Sequence, residues 1–348
     1  MVKKRLEYVD AISGIMILRM VYTHCCEFAS VYDHDVIYDY LGCFLLWFFY
    51  KGGVMNKPVK MRQALGKGWD RLLRPFIIWS VVGLCLDVAL FGVDRIIDLG
   101  YYQDNEIIRS VGSLLLNGSV HGNMPAWFLL TYFIVKELYV WVDEKHSSCL
   151  SFCSLGIALV LPFALQQLSF RYPYYLCNVF IGYAAFCLAS KFAARFVEVG
   201  SFRRILLGVI VGIFILIPLV QPCSYDIRTN TIYAGFYPLW WLWVLSACVA
   251  ISYLFRHSQY LTRICKHVGL TCVGEKSMFI LCYHWPVLLF LDFTRKALWS
   301  GLSHEWLLLY YGVGLLILGV PLYFMISQSR IKKYLLSLLS NKKGQFDL

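Results

Sequence analysis

The chain has 348 residues, of which 59% are hydrophobic and only 15% are charged, and its mean hydropathy is +0.62. Soluble domains carry about one quarter charged residues, so this composition excludes a water-soluble globular protein. The net charge is +11, but the basic residues stand in short clusters between apolar runs, which excludes a nucleic-acid-binding protein. The sequence therefore predicts an integral membrane protein whose partner is the lipid bilayer.

Ten apolar runs approach the roughly twenty residues that a helix needs to cross the hydrocarbon of a bilayer. They predict an all-α, polytopic membrane protein, with residues 1–348 forming a single domain. The first run has no small-residue cleavage site and is interpreted as a retained helix, not as a signal peptide. The predicted spans are 9–30, 37–55, 75–93, 125–142, 150–167, 172–190, 205–222, 233–255, 277–293 and 305–327.

Basic residues are distributed unevenly over the connections between these spans. With the N-terminus in the cytoplasm, 25 of the 32 lysines and arginines fall on the cytoplasmic side and 6 on the other, while Arg19 lies inside the first span. Such an excess sets the orientation of helical membrane proteins, so both termini are expected in the cytoplasm. Helical spans also predict the bacterial cytoplasmic (inner) membrane, since outer membranes use barrels.

The longest predicted outer connection, residues 94–124, carries several polar and charged residues. Long connections in compact proteins are often lids or binding elements, and this one is interpreted in that way. Its ionisable residues include Asp94, Asp98, Asp104, Glu106 and His121.

The thirteen cysteines lie mostly inside apolar runs, where cysteine acts as a small hydrophobic residue. They lack the paired spacings of zinc sites and of disulfide frameworks. Neither a bound metal nor a structural disulfide is expected.

The first span contains ionisable residues, which are costly inside a bilayer and therefore indicate function. His24 lies roughly 21 Å along the helix from Asp10, toward the outer side, and Glu27 lies beside it. A carboxylate there is able to orient the imidazole and raise its basicity. Arg19 points in a different direction and is expected to meet another helix. The alternative for His24 is a hydrogen bond that packs helices together near the interface.

The ninth span holds Tyr283 and His284 just before Pro286, whose missing N–H frees a backbone carbonyl. The alternative is a kinked helix with an interfacial aromatic residue. At the start of the fourth span, Pro125 and Trp127 are both ordinary for a helix that begins at a membrane interface.

A basic cluster lies on the predicted cytoplasmic side, between the second and third spans. Arg71 and Arg74 share a helix face, and Lys67 precedes them by one turn. Paired guanidinium groups bind phosphates well. The alternative is an anchor to anionic lipid headgroups.

Taken in this order, the segments resemble the membrane acyltransferase family 3, whose members O-acylate sugars of surface polysaccharides and similar acceptors. The resemblance covers residues 5–327. One position departs from it, because the family often has an arginine eleven positions before the histidine of the first helix, where this chain has Ser13. The matching pieces are Asp10, Gly14 and His24; Lys51-Gly52-Gly53; Arg71-x-x-Arg74-Pro75; Trp127-Phe128-Leu129; and Gly274-x-x-Ser277 through His284-Trp285-Pro286.

The resemblance implies an acyltransferase that transfers an acyl group to a hydroxyl of a cell-surface polysaccharide (an exopolysaccharide) or glycolipid sugar. The expected acyl group is acetyl, from acetyl-CoA. His24 is then a general base or a nucleophile, Glu27 orients it, and Arg19 or Tyr283 faces the developing oxyanion. The alternatives are a transporter or flippase of polysaccharide precursors and a non-catalytic membrane protein. The candidate residues are His24, Glu27, Arg19, Tyr283 and His284 for catalysis, Lys67, Arg71 and Arg74 for the acyl-CoA, and Asp10, Trp127 and Trp285 for the substrate.

Overall fold

The fold is almost entirely helical, as expected from the sequence. The computed structural model describes residues 6–30, 44–92, 114, 118–167, 174–193, 208–210, 212, 225–226, 231–232, 237–298 and 302–328. The elements are α1 (Glu7–Ala29), α2 (Phe44–Val54), α3 (Met61–Gly68), a π-helical turn (Trp69–Leu73), α4 (Arg74–Phe91), a 3-10 turn (Met124–Ala126), α5 (Trp127–Glu144), α6 (Ser148–Gln167), α7 (Tyr174–Leu188), a second π-helical turn (Ala189–Ala193), β1 (Tyr225–Asp226), β2 (Thr231–Ile232), α8 (Tyr237–His257), α9 (Gln259–His267), α10 (Leu270–Glu275), α11 (Ser277–Leu298) and α12 (His304–Gln328). The two short strands form an antiparallel pair that the sequence did not predict.

Within the described residues, five helices are long and apolar enough to cross a membrane. They coincide with the first, third, fourth, ninth and tenth predicted spans, which confirms a chain with membrane-spanning helices. The number of ten spans and the cytoplasmic position of both termini stay predictions. The five helices are Glu7–Ala29, Met61–Phe91, Met124–Glu144, Ser277–Leu298 and Trp306–Tyr323.

Of the other predicted spans, the fifth is described throughout and the rest are described in part. α6, α7 and α8 lie at the fifth, sixth and eighth predicted spans, and α2 forms the second half of the second. Most of the seventh span, 205–222, lies outside the described residues. Of the predicted outer connection, 94–124, the structure describes residue 114 and residues 118–124.

The third spanning helix begins well before the predicted boundary at residue 75, because the basic segment before it is also helical. Pro75 has no N–H to donate and would interrupt a regular α-helix. Immediately before Pro75, the π-helical turn shifts the backbone hydrogen-bond pattern by one residue, and the Arg74 N–H donates to the Trp69 carbonyl. The helix therefore continues from the basic segment into the apolar one.

α1 and α10 approach each other closely, with backbone against backbone. A Cβ atom on Gly14 would lie 2.0 Å from the Leu270 carbonyl oxygen, and one on Gly274 would lie 1.8 Å from the Asp10 carbonyl oxygen. Only glycine allows two backbones to touch in this way, as small residues do where membrane helices pack. Because one residue separates α10 from α11, this contact also places α11 alongside α1.

We expect Gly274→Ala to prevent α1 and α10 from packing, because the new methyl group has backbone and not a flexible side chain against it. The cost is at least the roughly 1–3 kcal/mol typical of overpacking. Size-exclusion chromatography and thermal denaturation of the detergent-solubilised chain provide the measurement. Gly66→Ala is the control, since no atom lies within 4 Å of a Cβ there. Equal stability of the two variants would contradict the role of this contact.

Candidate active site

His24 and His284 form a hydrogen-bonded pair between α1 and α11. The Nδ1 atom of His24 lies 2.8 Å from the Nε2 atom of His284. The two rings are almost parallel, with an angle of 4° between their planes. His284 is fully buried and His24 is partly buried. The structure thus brings together two of the histidines that the sequence singled out on separate spans.

The hydrogen bonds of the pair define which nitrogen carries each proton. The Nδ1–H of His284 donates to the Ile280 carbonyl oxygen at 2.9 Å, one turn back on α11. In a neutral imidazole the other nitrogen is then an acceptor, so Nε2 of His284 accepts from Nδ1–H of His24. The basic lone pair of His24 consequently lies on its Nε2 atom.

Aromatic side chains border the histidine pair. The Trp285 ring meets the His24 ring at 90° with 5.1 Å between the centroids, and the Phe28 ring lies 5.0 Å from the Trp285 ring. The Trp285 indole N–H donates to the His121 carbonyl oxygen at 3.0 Å. The same tryptophan therefore contacts the catalytic candidate on α1 and fixes the segment that precedes α5.

That preceding segment, residues 118–123, packs against α4 and α11. The imidazole of His121 lies 2.8 Å from the Asp87 carboxylate on α4. A Cβ atom on Gly122 would lie 1.9 Å from the Gly83 carbonyl oxygen, so the backbones of the segment and α4 are in contact. The described end of the predicted outer connection is thus a packed part of the site.

Asn123 supplies the hydrogen-bond donor that a backbone carbonyl of α11 loses because of Pro286. A proline at position 286 leaves the Cys282 carbonyl, four residues earlier, without its helical donor. The Asn123 side-chain amide donates to this carbonyl at 2.9 Å, and Asn123 is fully buried. The freed carbonyl expected from the sequence is therefore used to attach the segment before α5 to α11.

The other end of α1 holds a second polar group. The Ser13 hydroxyl donates to the Val9 carbonyl oxygen at 2.7 Å and accepts from the Lys51 ammonium at 2.8 Å and from the Trp47 indole at 3.2 Å. The Lys51 ammonium also lies 4.0 Å from the Asp10 carboxylate. A lysine charge from α2 is thus located at the position where the resemblance led us to expect an arginine.

The predicted phosphate-binding residues lie on the continuous helix formed by α3, the π-helical turn and α4. Lys67 and Arg71 are exposed, and Arg74 is half-buried. Lys136 of α5 is within electrostatic reach of Lys67 and Arg71, and its Nζ atom lies 3.7 Å from the Glu137 carboxylate. Glu137 is buried, and within the described part of the chain neither of its carboxylate oxygens has a hydrogen-bond partner.

Several predicted site residues have other surroundings. Arg19 is buried and hydrogen-bonded to Thr23, one turn further along α1. The Tyr283 ring packs against Phe279 at a tilt of 38° and faces α12, since a Cβ atom on Gly319 would lie 2.4 Å from its hydroxyl.

Two further candidates stay close to the ends of their helices. Glu27 is half-buried in the last turn of α1. Trp127 begins α5 and lies edge-on to Phe128 at 6.1 Å.

The sequence reasoning gave no role to three ionisable residues of these clusters. Asp87 lies within the third predicted span, and Lys136 and Glu137 lie within the fourth. The rule that pointed to the first span, that ionisable residues inside a bilayer indicate function, would have found all three.

These observations define an almost entirely helical protein with membrane-spanning helices, in which a buried histidine pair and a basic cluster lie at different positions along the bundle. No protein-family model, curated protein or solved structure matches the chain. The site must therefore be interpreted from its own geometry.

We expect Asn123→Ala to destabilise the chain by about 1–3 kcal/mol, because it leaves the buried Cys282 carbonyl without a donor. Pro286→Ala restores a backbone N–H to that carbonyl, so in the double variant the loss of Asn123 is expected to cost much less. Thermal denaturation of the four chains in detergent gives the double-mutant cycle. Strict additivity of the two substitutions would show that the two groups do not share this carbonyl.

Proposed function

We propose that this chain is a membrane-bound O-acyltransferase of the kind that its sequence resembles, membrane acyltransferase family 3. It transfers an acyl group, acetyl from acetyl-CoA, to a hydroxyl of a cell-surface polysaccharide or glycolipid sugar in the bacterial cytoplasmic membrane. The observation that carries the proposal is the His24–His284 pair, whose hydrogen bonds leave the lone pair on Nε2 of His24. In such a pair, His24 is suited to act as a general base and His284 to orient it.

In the proposed reaction, Nε2 of His24 takes the proton of the acceptor hydroxyl as the hydroxyl oxygen attacks the thioester carbonyl carbon. The C–S bond of the resulting tetrahedral intermediate then breaks, and His24 returns the proton to the departing CoA thiolate. His284 keeps its acceptor nitrogen on Nδ1–H of His24 throughout, which stabilises the imidazolium that forms between the two steps. General base catalysis of this kind contributes about 10²–10⁴-fold to the rate.

The donor site proposed for acyl-CoA is the basic cluster of Lys67, Arg71 and Arg74. Lys136 adds a further cation from α5, with its Nζ atom 3.7 Å from the buried carboxylate of Glu137. Several cations that converge from two helices favour a ligand with several phosphate charges over a single lipid headgroup. In this proposal the cluster lies at the cytoplasmic face, where acyl-CoA is available.

The acceptor site proposed for the sugar lies at the other end of α1. Trp285 supplies an aromatic surface beside His24, and the Asp87–His121 pair supplies groups that hydrogen-bond to sugar hydroxyls. Aromatic residues with a polar tip suit a ligand that has apolar faces and polar edges. The proposed acceptor therefore approaches from the side of the membrane opposite to acyl-CoA.

We expect His24→Ala to reduce acyl transfer by about 10²–10⁴-fold, because the base is removed. His284→Ala is expected to lower kcat with little change in KM, whereas His284→Gln restores part of the activity because its amide oxygen accepts from His24. O-acetylation of surface polysaccharide in cells that lack the gene and are complemented with each variant measures the loss of transfer, and acetyl transfer in isolated membranes over a range of acetyl-CoA concentrations gives kcat and KM.

His267→Ala, at an exposed position of α9, is the matched control for these histidine substitutions. Membrane insertion is checked for every variant by its amount in washed membranes. Full acetylation in cells that carry a well-expressed His24→Ala chain would overturn the proposed catalytic role.

We expect Arg71→Ala/Arg74→Ala to raise KM for acetyl-CoA by at least tenfold and to leave kcat nearly unchanged, because the phosphates lose charge-assisted hydrogen bonds away from the reacting atoms. Acetyl transfer in isolated membranes over a range of acetyl-CoA concentrations provides both constants. Arg62→Ala, on an exposed turn of α3, is the control. An unchanged KM in the double variant would show that these arginines do not bind acetyl-CoA and would favour a role as lipid anchors.

A further inference from the structure

A small cavity lies among four helices of the bundle. It has a volume of about 30 Å³ and is almost entirely apolar, with one hydroxyl among its lining groups. α1, α2, α5 and α11 all contribute to its wall. The lining residues are Ile17, Met20, Phe48, Phe128, Ser277, Met278 and Leu281.

The lining residues lie on the same helix faces as the histidine pair. On α1, Met20 precedes His24 by four residues, and on α11, Leu281 precedes His284 by three, which places each on one stripe of its helix. At 1.5 Å per residue, Ser277 lies roughly 10 Å along α11 from His284. The cavity therefore lies about one helical turn from the pair, toward the Asp10 end of α1.

The two ends of the cavity differ in their exposure. Leu281 and Met20, next to the histidines, are buried, whereas Met278 at the far end is exposed. An acyl group that arrives from the Asp10 end would pass Ser277 and come to rest against Met20 and Leu281. Because the acyl group enters with its terminal methyl first, the methyl would contact Met20 and Leu281, and the carbonyl carbon would lie behind it on the Ser277 side.

We propose that this cavity is the acyl pocket and that Leu281 and Met20 limit the length of the acyl chain. The inference rests on the acyltransferase function proposed above. One water-sized sphere needs about 10–15 Å³, so a cavity of 30 Å³ holds two or three groups of that size. An acetyl group has three non-hydrogen atoms, whereas each further methylene must displace a packed side chain. The pocket therefore selects short acyl chains, because its volume is too small for longer ones.

The experiment measures binding of CoA, acetyl-CoA, butyryl-CoA and hexanoyl-CoA to the purified full-length chain in detergent by isothermal titration calorimetry. CoA, which has no acyl group, serves as the internal reference for the phosphate contacts. The wild-type chain is expected to bind acetyl-CoA more tightly than hexanoyl-CoA. Leu281→Ala and Met20→Ala are expected to improve binding of the longer acyl-CoAs by about fourfold for each methylene that becomes buried, with CoA affinity unchanged.

Leu288→Ala is the matched control, because Leu288 is fully buried on the same helix but lies outside the cavity. Leu281→Phe, which fills the cavity, is expected to weaken acetyl-CoA binding and to leave CoA binding intact. If CoA binds but neither cavity variant changes the preference for chain length, the acyl pocket is wrong and the proposed donor site stands. If the wild-type chain binds none of the four compounds, the proposed function fails and the pocket fails with it.

Discussion

The contact between Gly14 and Gly274 is the constraint on which the rest of the site depends. It brings the backbones of α1 and α10 so close that no side chain fits between them. Since α11 follows α10 after a single residue, the contact fixes both the separation and the register of α1 and α11. His24 and His284, each ten residues after one of the two glycines, come within hydrogen-bond distance. A shift of one residue in either helix would separate the two imidazoles.

A second constraint is that backbone polar groups inside the bundle need partners within the protein, because lipid offers none. At three backbone carbonyls the chain meets it with side-chain donors. His284 donates to the Ile280 carbonyl, Asn123 to the Cys282 carbonyl freed by Pro286, and His304 to the Ala29 carbonyl at the end of α1. Each of these bonds also joins or orients elements of the site. The proline of the ninth predicted span thus permits the tertiary contact that Asn123 makes.

The polar groups are also divided along α1 in a manner that suits a reaction across the bilayer. Ser13, Asp10 and the Lys51 charge lie at one end, and the histidine pair lies at the other, roughly 21 Å away. The small cavity occupies the interval between them. A bundle that keeps a charged region, a small apolar cavity and a base in series along one helix suits the proposed transfer from a soluble donor to an acceptor on the opposite side. The proposed transfer uses this series from end to end.

The sequence by itself determined the helical class and the membrane environment, because both follow from the length and apolar composition of local segments. It also identified His24, His284 and Trp285 by residue type and position. It did not reveal that these residues meet, since they are about 260 positions apart and their distance depends on how α1 and α11 pack. The same reason explains why Tyr283 faces α12 while its neighbour His284 faces α1: adjacent helix positions point about 100° apart, and only the arrangement of neighbouring helices decides which of them enters the site. The tertiary structure alone determined the proton positions in the histidine pair, the Lys51 charge at Ser13 and the use of the Cys282 carbonyl, because each is a contact between distant parts of the chain.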